Sequence, residues 1–185
     1  MKLNMGCGQN KINGYLNIDK HIEWKPDLQV DLEVFPWPFE INEVDQVIFN
    51  HSLEHIGSDT STFLHIIKEL YRICKSETKI QINVPHPRHD NFLNDPTHVR
   101  AITPQTFELF SKKNNDLWEN INASNSPLAK YLDVDFEIIE VNQVLEQEYI
   151  DKLNSNKITE EEINKLIKQR NNVVSELRIT LKVLK

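Results

Sequence analysis

Cysteine is nearly missing: Cys7 and Cys74 are the only two, and they do not form a C-x-x-C pair. That excludes a disulfide framework and a cysteine-based redox or zinc motif, and it fits a reducing, cytoplasmic setting. Long apolar runs are missing as well. No stretch approaches the ~18 apolar residues of a membrane span, and no apolar core of signal-peptide length follows Met1-Lys2, so a soluble, untargeted protein is expected. Positive charge is short: 21 Lys and Arg stand against 28 Asp and Glu, a formal charge of -7, with no basic half. The attraction that drives binding to a phosphate backbone is therefore missing, which disfavours a nucleic-acid partner. There is no internal repeat and no low-complexity segment. What remains is 185 residues with 39% hydrophobic content, enough for the core of a single domain.

Within that domain the first half alternates short strand-like runs with turn residues. Strands are predicted at Lys2–Met5, Tyr15–Ile18, Leu28–Asp31 and Gln46–Asn50, punctuated by Gly6, Gly8, Gly14 and Pro36-Trp37-Pro38. A helix is predicted from Asp59 to Cys74, where Phe63, Ile67, Leu70 and Cys74 share one face behind a Ser58/Asp59 cap. Lys79–Val84 reads as the next strand. Pro85–Thr103 is rich in His, Pro, Asp and Asn and reads as a loop, and Pro104 opens a short helix to about Lys112. The polar stretch from Asp116 to Pro127 reads as irregular. Phe136–Leu145 is a strand, Thr159-Glu160-Glu161-Glu162 is a capping box opening a helix to about Asn171, and Val173–Leu184 is the last strand.

The densest chemical signal is Leu3-Asn4-Met5-Gly6-Cys7-Gly8 at the end of the first strand, with Asp19 at the end of the second. Glycines there let backbone approach a ligand, and a carboxylate one strand over can accept both hydroxyls of a ribose. The third glycine of a dinucleotide fingerprint is missing, because Lys11 stands in its place, which argues against a pyrophosphate site.

With Asn50-His51-Ser52-Leu53-Glu54-His55-Ile56 after the fourth strand and Asn83-Val84-Pro85 at the fifth, these segments resemble, in order, the motifs of class I S-adenosylmethionine-dependent methyltransferases. The resemblance covers roughly the first half of the chain. It implies an α/β, Rossmann-like single domain, with a mainly parallel sheet and an antiparallel C-terminal strand, binding S-adenosylmethionine at the strands' carboxyl ends. Carried over by position, Met5, Gly6, Cys7 and Gly8 would lie by the methionine part of the cofactor. Asp19, with Lys20 beside it, would hold the ribose, Asp31-Leu32 would reach the adenine, and Asn50 and His51 would line the cofactor. Residues 1–85 would form the cofactor half, 86–130 the acceptor side, and 131–185 the C-terminal strands and helix.

A rival reading comes from His51-Ser52-Leu53-Glu54-His55, which spells the H-x-x-E-H of some zinc hydrolases and needs a helix running through it. Here it follows an apolar strand, and the helix cap comes only at Ser58 or Asp59, so no metal ligand is assigned. A catalytically silent cofactor-binding module is the other alternative. The loop after the fifth strand should leave on the cofactor's side, and its His86, His89 and His98 are the expected acceptor-side bases or orienting groups.

Between the first four strands no amphipathic helix is evident. Leu3/Met5, Ile80/Ile82/Val84 and Leu177/Ile179/Leu181/Val183 alternate with polar residues, which predicts one buried and one wet sheet face. The wet face is expected to lack helical cover and to be open to a large acceptor or to a second copy in a homodimer. The acceptor itself is not written in the sequence, with a small molecule or sugar favoured.

Overall fold

Alternation of apolar and polar residues gives β1 (Lys2–Met5), β2 (Leu16–Asp19), β3 (Leu28–Gln29) and β4 (Val44–Asn50) at or within about two residues of the predicted runs. The computed structural model, which describes residues 1–185, continues with α1 (Thr60–Ile73), β5 (Cys74–Pro85), α2 (Asp90–Leu93), α3 (Pro104–Glu108), α4 (Lys112–Asn120) and α5 (Leu128–Leu132). It closes with β6 (Phe136–Leu145), α6 (Gln147–Asn154), α7 (Glu160–Gln169) and β7 (Val174–Val183). All seven strands join one sheet in the order β3-β2-β1-β4-β5-β7-β6. β1 to β5 pair in parallel, and β7 runs antiparallel to both β5 and β6. Strand filling reverses direction between β1 and β4, which opens a crevice at their carboxyl ends.

One face of the sheet is the core. Leu3, Met5, Val47, Phe49, Ile80, Ile82, Ile179 and Leu181 are buried there together with Phe63, Ile66, Ile67, Leu70 and Ile73 of α1. The helix starts where Asp59 accepts a hydrogen bond from the Thr62 N–H at 3.0 Å. Burial of each large side chain in this layer contributes roughly 1.5–3 kcal/mol.

The other face is polar. Register places Gln46, Lys79, Lys182 and Glu137 in one row, and Ile48, Gln81 and Thr180 in the next, all exposed or half-buried.

Where no crossover helix joins the first strands, an asparagine network takes over the backbone of the connecting loops. Asn4 and Asn17 lie on the polar face yet are buried beneath the 6–15 loop. The Asn4 side chain donates to the Asn10 carbonyl and to Asn17 Oδ1, both at 2.9 Å, and the Ile12 N–H donates to Asn17 Oδ1 at 2.8 Å. Asn17 in turn donates through its N–H and Nδ2 to Asp27 Oδ2, at 2.9 and 2.7 Å. These bonds satisfy buried polar groups that a helix would satisfy within itself.

Several expectations need correction: the stretch read as a loop contains the short α2, and β5 begins at Cys74 rather than at Lys79. The short helix opened by Pro104 stops at Glu108, and a new one, α4, begins after Ser111, whose hydroxyl accepts from the Asn114 N–H. The first part of the stretch read as irregular is therefore helical. Between β6 and α7 lies the unexpected α6, whose Tyr149 packs with Ile163 of α7 and Val173 in a small second core.

Candidate active site at the carboxyl ends of the parallel strands

The site begins with two glycines in left-handed conformations that do different work. Gly6 has φ +68°, and a Cβ there would come within 2.6 Å of Ser52 Cβ. It is a packing glycine, holding the turn after β1 against the turn after β4, where Ser52 Oγ donates to the Met5 carbonyl at 2.7 Å. Gly8 has φ +47° and nothing within 4 Å of a Cβ position, so its missing side chain leaves space in the cleft. Its N–H donates to Asp19 Oδ2 at 2.8 Å, while Asp19 Oδ1 accepts from the His21 N–H at 2.9 Å. The carboxylate at the end of β2 is thus braced on both oxygens and buried beside the cleft.

The cleft has a volume of about 630 Å³. Gly6, Gly8, Asp19, Lys20, Asp31, Leu32 and His51 line it, with Trp24, Ser52, His55, Ile56 and Thr97 among the others. Asp31 turns the chain by accepting from the Glu33 N–H at 3.0 Å, and Glu33 accepts from the Gly57 N–H at 2.8 Å. The wall after β3 is thereby tied to the wall after β4.

Met5, Cys7 and Asn50 do not line the cleft. Met5 is fully buried in the core, and burial also pushes the Cys7 thiol up, keeping it a packed, uncharged group. The Asn50 side chain joins the polar sheet face, where its Oδ1 accepts from Asn83 Nδ2 at 3.0 Å.

The three histidines of the loop after β5 are not brought together. His86 Nδ1 accepts from the Arg88 N–H at 3.1 Å, and burial, then Arg88 and His89, lower its pKa. His89 is buried; its Nδ1 caps α2 by accepting from the Asn91 N–H, and its Nε2 lies 2.9 Å from Glu146 Oε1. Neither lines the cleft, nor does His98. The loop is pinned rather than free: Val99 and Arg100 donate N–H bonds to the Glu54 carbonyl, and the Arg100 guanidinium donates to the Gly57 carbonyl and lies over the Phe63 ring. That pinning delivers His98 to Glu54 and His55.

Glu54 is 1% exposed, and neither carboxylate oxygen has a hydrogen-bond partner. Nε2 of His55 and Nε2 of His98 each lie 4.0 Å from its Oε1, and Nδ1 of His51 lies at 3.7 Å. His51 has φ +52°, uncommon for a side-chain-bearing residue and often found at functional sites. Its Nε2 lies 2.7 Å from Glu176 Oε2, and the Glu54 and Glu176 carboxylates favour its cation and raise its pKa against the opposing effect of burial. The zinc-hydrolase geometry is not formed, since only Leu53–His55 makes a single 3-10 turn and His51 stands outside it.

No family model and no curated protein sequence matches the chain. Among solved structures it is similar to a SAM-dependent methyltransferase from Archaeoglobus fulgidus, with 19% identity over 98% of this chain and 85% of that one and a TM-score of 0.65. The fold is that of a class I methyltransferase. Phosphoethanolamine N-methyltransferase 2 of Haemonchus contortus, solved with S-adenosyl-L-methionine, shares it at 14% identity and a TM-score of 0.52, over 100% of this chain and 48% of that one. So does the [4+2]-cyclase SpnF, at 13% identity and a TM-score of 0.55, over 99% and 75%. A methyltransferase fold that also serves a cyclase does not by itself name a reaction, so function has to be argued from the cleft.

Proposed function

We propose that the chain binds S-adenosylmethionine in this cleft and transfers its methyl group to a small-molecule or sugar acceptor in the cytoplasm. The observation that carries the reading is the braced pair of Gly8 and Asp19: space where a side chain would stand, next to a buried carboxylate held by two N–H donors. Each carboxylate oxygen keeps a lone pair beyond the one its backbone donor uses, so Asp19 can still accept from a ribose diol. The residues therefore fit the cofactor. Gly6 and Gly8 would sit by its methionine part, Asp19 would take its ribose hydroxyls, and Asp31 and Leu32 would reach its adenine.

The bound cofactor supplies an electrophilic methyl group on a sulfonium. The chain's task is then mainly to hold the acceptor in line and keep the cleft wall fixed. His51, oriented by Glu176, and His55 stand on that wall, and they replace His86 and His89 as the groups able to orient an acceptor or move its proton. The formal charge of -7 supports an acceptor other than nucleic acid. Free, buried Cys7 and Cys74 suit a reducing compartment.

The test is calorimetric titration with S-adenosylmethionine and S-adenosylhomocysteine, followed by transfer of labelled methyl to a panel of hydroxyl, amine and sugar acceptors. Saturable binding with transfer supports the proposal. Saturable binding with no transfer across the panel supports the silent-module alternative, and no binding rejects both.

A further inference from the structure

We propose that Glu54, His55 and His98 form a site for a divalent transition-metal ion behind the wall of the cleft, where His55 alone of the three lines it. The first observation is the buried Glu54 carboxylate, which has no hydrogen-bond partner on either oxygen. A buried charge persists only when paired or bound to a metal.

The second is the set of tautomers around it. The Thr97 hydroxyl donates to Asp95 Oδ1 at 2.6 Å, so His55 Nδ1, at 2.9 Å from Thr97 Oγ1, must be the donor there. His98 Nδ1 lies 2.9 Å from the Phe92 carbonyl, which can only accept. Both Nδ1 protons are therefore committed, and both Nε2 atoms turn toward Glu54. A second bond of this kind, to a carbonyl or an anchored hydroxyl, is what fixes a metal-binding imidazole.

The third is spacing. At 4.0 Å, Nε2 and Oε1 are too far apart for a hydrogen bond, so protonated imidazoles would not satisfy Glu54 in this arrangement. The ligand atoms of the trio all lie within 4.8 Å of one another, so a small inward shift of the side chains would let them share one ion, whose donors at about 2.0–2.2 Å stand no more than about 4.4 Å apart. Two imidazoles with one carboxylate favour zinc, iron(II) or cobalt(II) over magnesium or calcium. His55 is one-third exposed and belongs to the cleft wall, so the site borders the cleft through that residue. His51 is not a ligand in this scheme, because Glu176 holds its Nε2. Metal binding stands whether or not the cleft takes S-adenosylmethionine.

The experiment uses the full chain, stripped with chelator and titrated with cobalt(II) while the visible ligand-field bands are followed, with zinc as competitor. One saturable equivalent is expected, displaced by zinc. Glu54→Gln and His98→Ala should each weaken it by at least about tenfold, the lower bound seen when only an outer partner is removed. His65→Ala, an exposed histidine elsewhere, should leave it unchanged. The proposal is overturned if cobalt gives no bands with the parent chain. It is equally overturned if binding survives both Glu54→Gln and His98→Ala.

Discussion

Asp19→Asn separates the two tasks assigned to Asp19. The carboxylate accepts from the Gly8 N–H at 2.8 Å and the His21 N–H at 2.9 Å. An asparagine keeps one acceptor oxygen but turns an NH2 group toward the other backbone N–H. Loss of a hydrogen bond to a charged acceptor in a buried setting costs about 1.5–3 kcal/mol. For a domain of this size that is a drop of roughly 3–12 °C in melting temperature, at about 2–4 °C per kcal/mol. The same substitution removes the charge offered to a ribose diol, and an equal loss there weakens cofactor affinity roughly 10- to 100-fold. Thermal melts by circular dichroism measure the first effect. Calorimetry with S-adenosylhomocysteine, well below the variant's melting temperature, measures the second. A variant that melts lower yet binds with parental affinity would show Asp19 to be a brace alone, and the ribose assignment would fall.

The glycines give a paired expectation. Gly6→Ala should lose stability, because its Cβ would meet Ser52 at 2.6 Å. Gly8→Ala should cost only the ~1–2 kcal/mol of a left-handed alanine while losing cofactor affinity. Guanidinium unfolding and calorimetry on both variants check this, and matching losses of stability would refute the division of roles. Gly57→Ala, with φ +70° and a Cβ 2.9 Å from Phe63 Cα, should destabilise by about 1–3 kcal/mol in the same unfolding assay. Asp27 is held below the usual carboxylate range by the Asn17 N–H and the Asn17 side chain, against an opposing effect of burial, with Lys11 adding to the lowering. A depressed carboxylate pKa means its stabilisation is complete above the ordinary value of about 3.9 and is lost as pH falls through the folded value. Melts of the parent between pH 6 and about 2.5 should therefore show a steeper acid loss than those of Asp27→Asn, and parallel curves would refute the contribution.

The parts of the fold that were legible are those with strict periodicity. Leu3/Met5, Ile80/Ile82 and Leu177/Ile179/Leu181 alternate cleanly, and α1 repeats its apolar face behind an aspartate cap. α4 and α6 were not legible because they are short and polar, each burying a single residue, Asn115 and Tyr149. Ser111 before α4 was the available signal, since its hydroxyl caps that helix. The glycine turn, Asp19, Lys20, Asp31, Leu32 and His51 could be placed at the cleft because strand ends converge at the reversal of strand order. Met5 went the other way, since a side chain at a strand end belongs to one face or the other and that of Met5 faces the core. The loop histidines misled because their number carries no geometry. His86 and His89 fold into local turns and caps, whereas the meeting of Glu54 with His98 depends on N–H bonds from Val99 and Arg100 that no local pattern announces.

The most direct test of the account is the titration of the purified chain with S-adenosylhomocysteine, which forms the product side of the proposed reaction and reads the cleft without needing the acceptor. Saturable binding at one equivalent is expected, weakened in Asp19→Asn and in Gly8→Ala. The absence of saturable binding to a folded parent chain would contradict it.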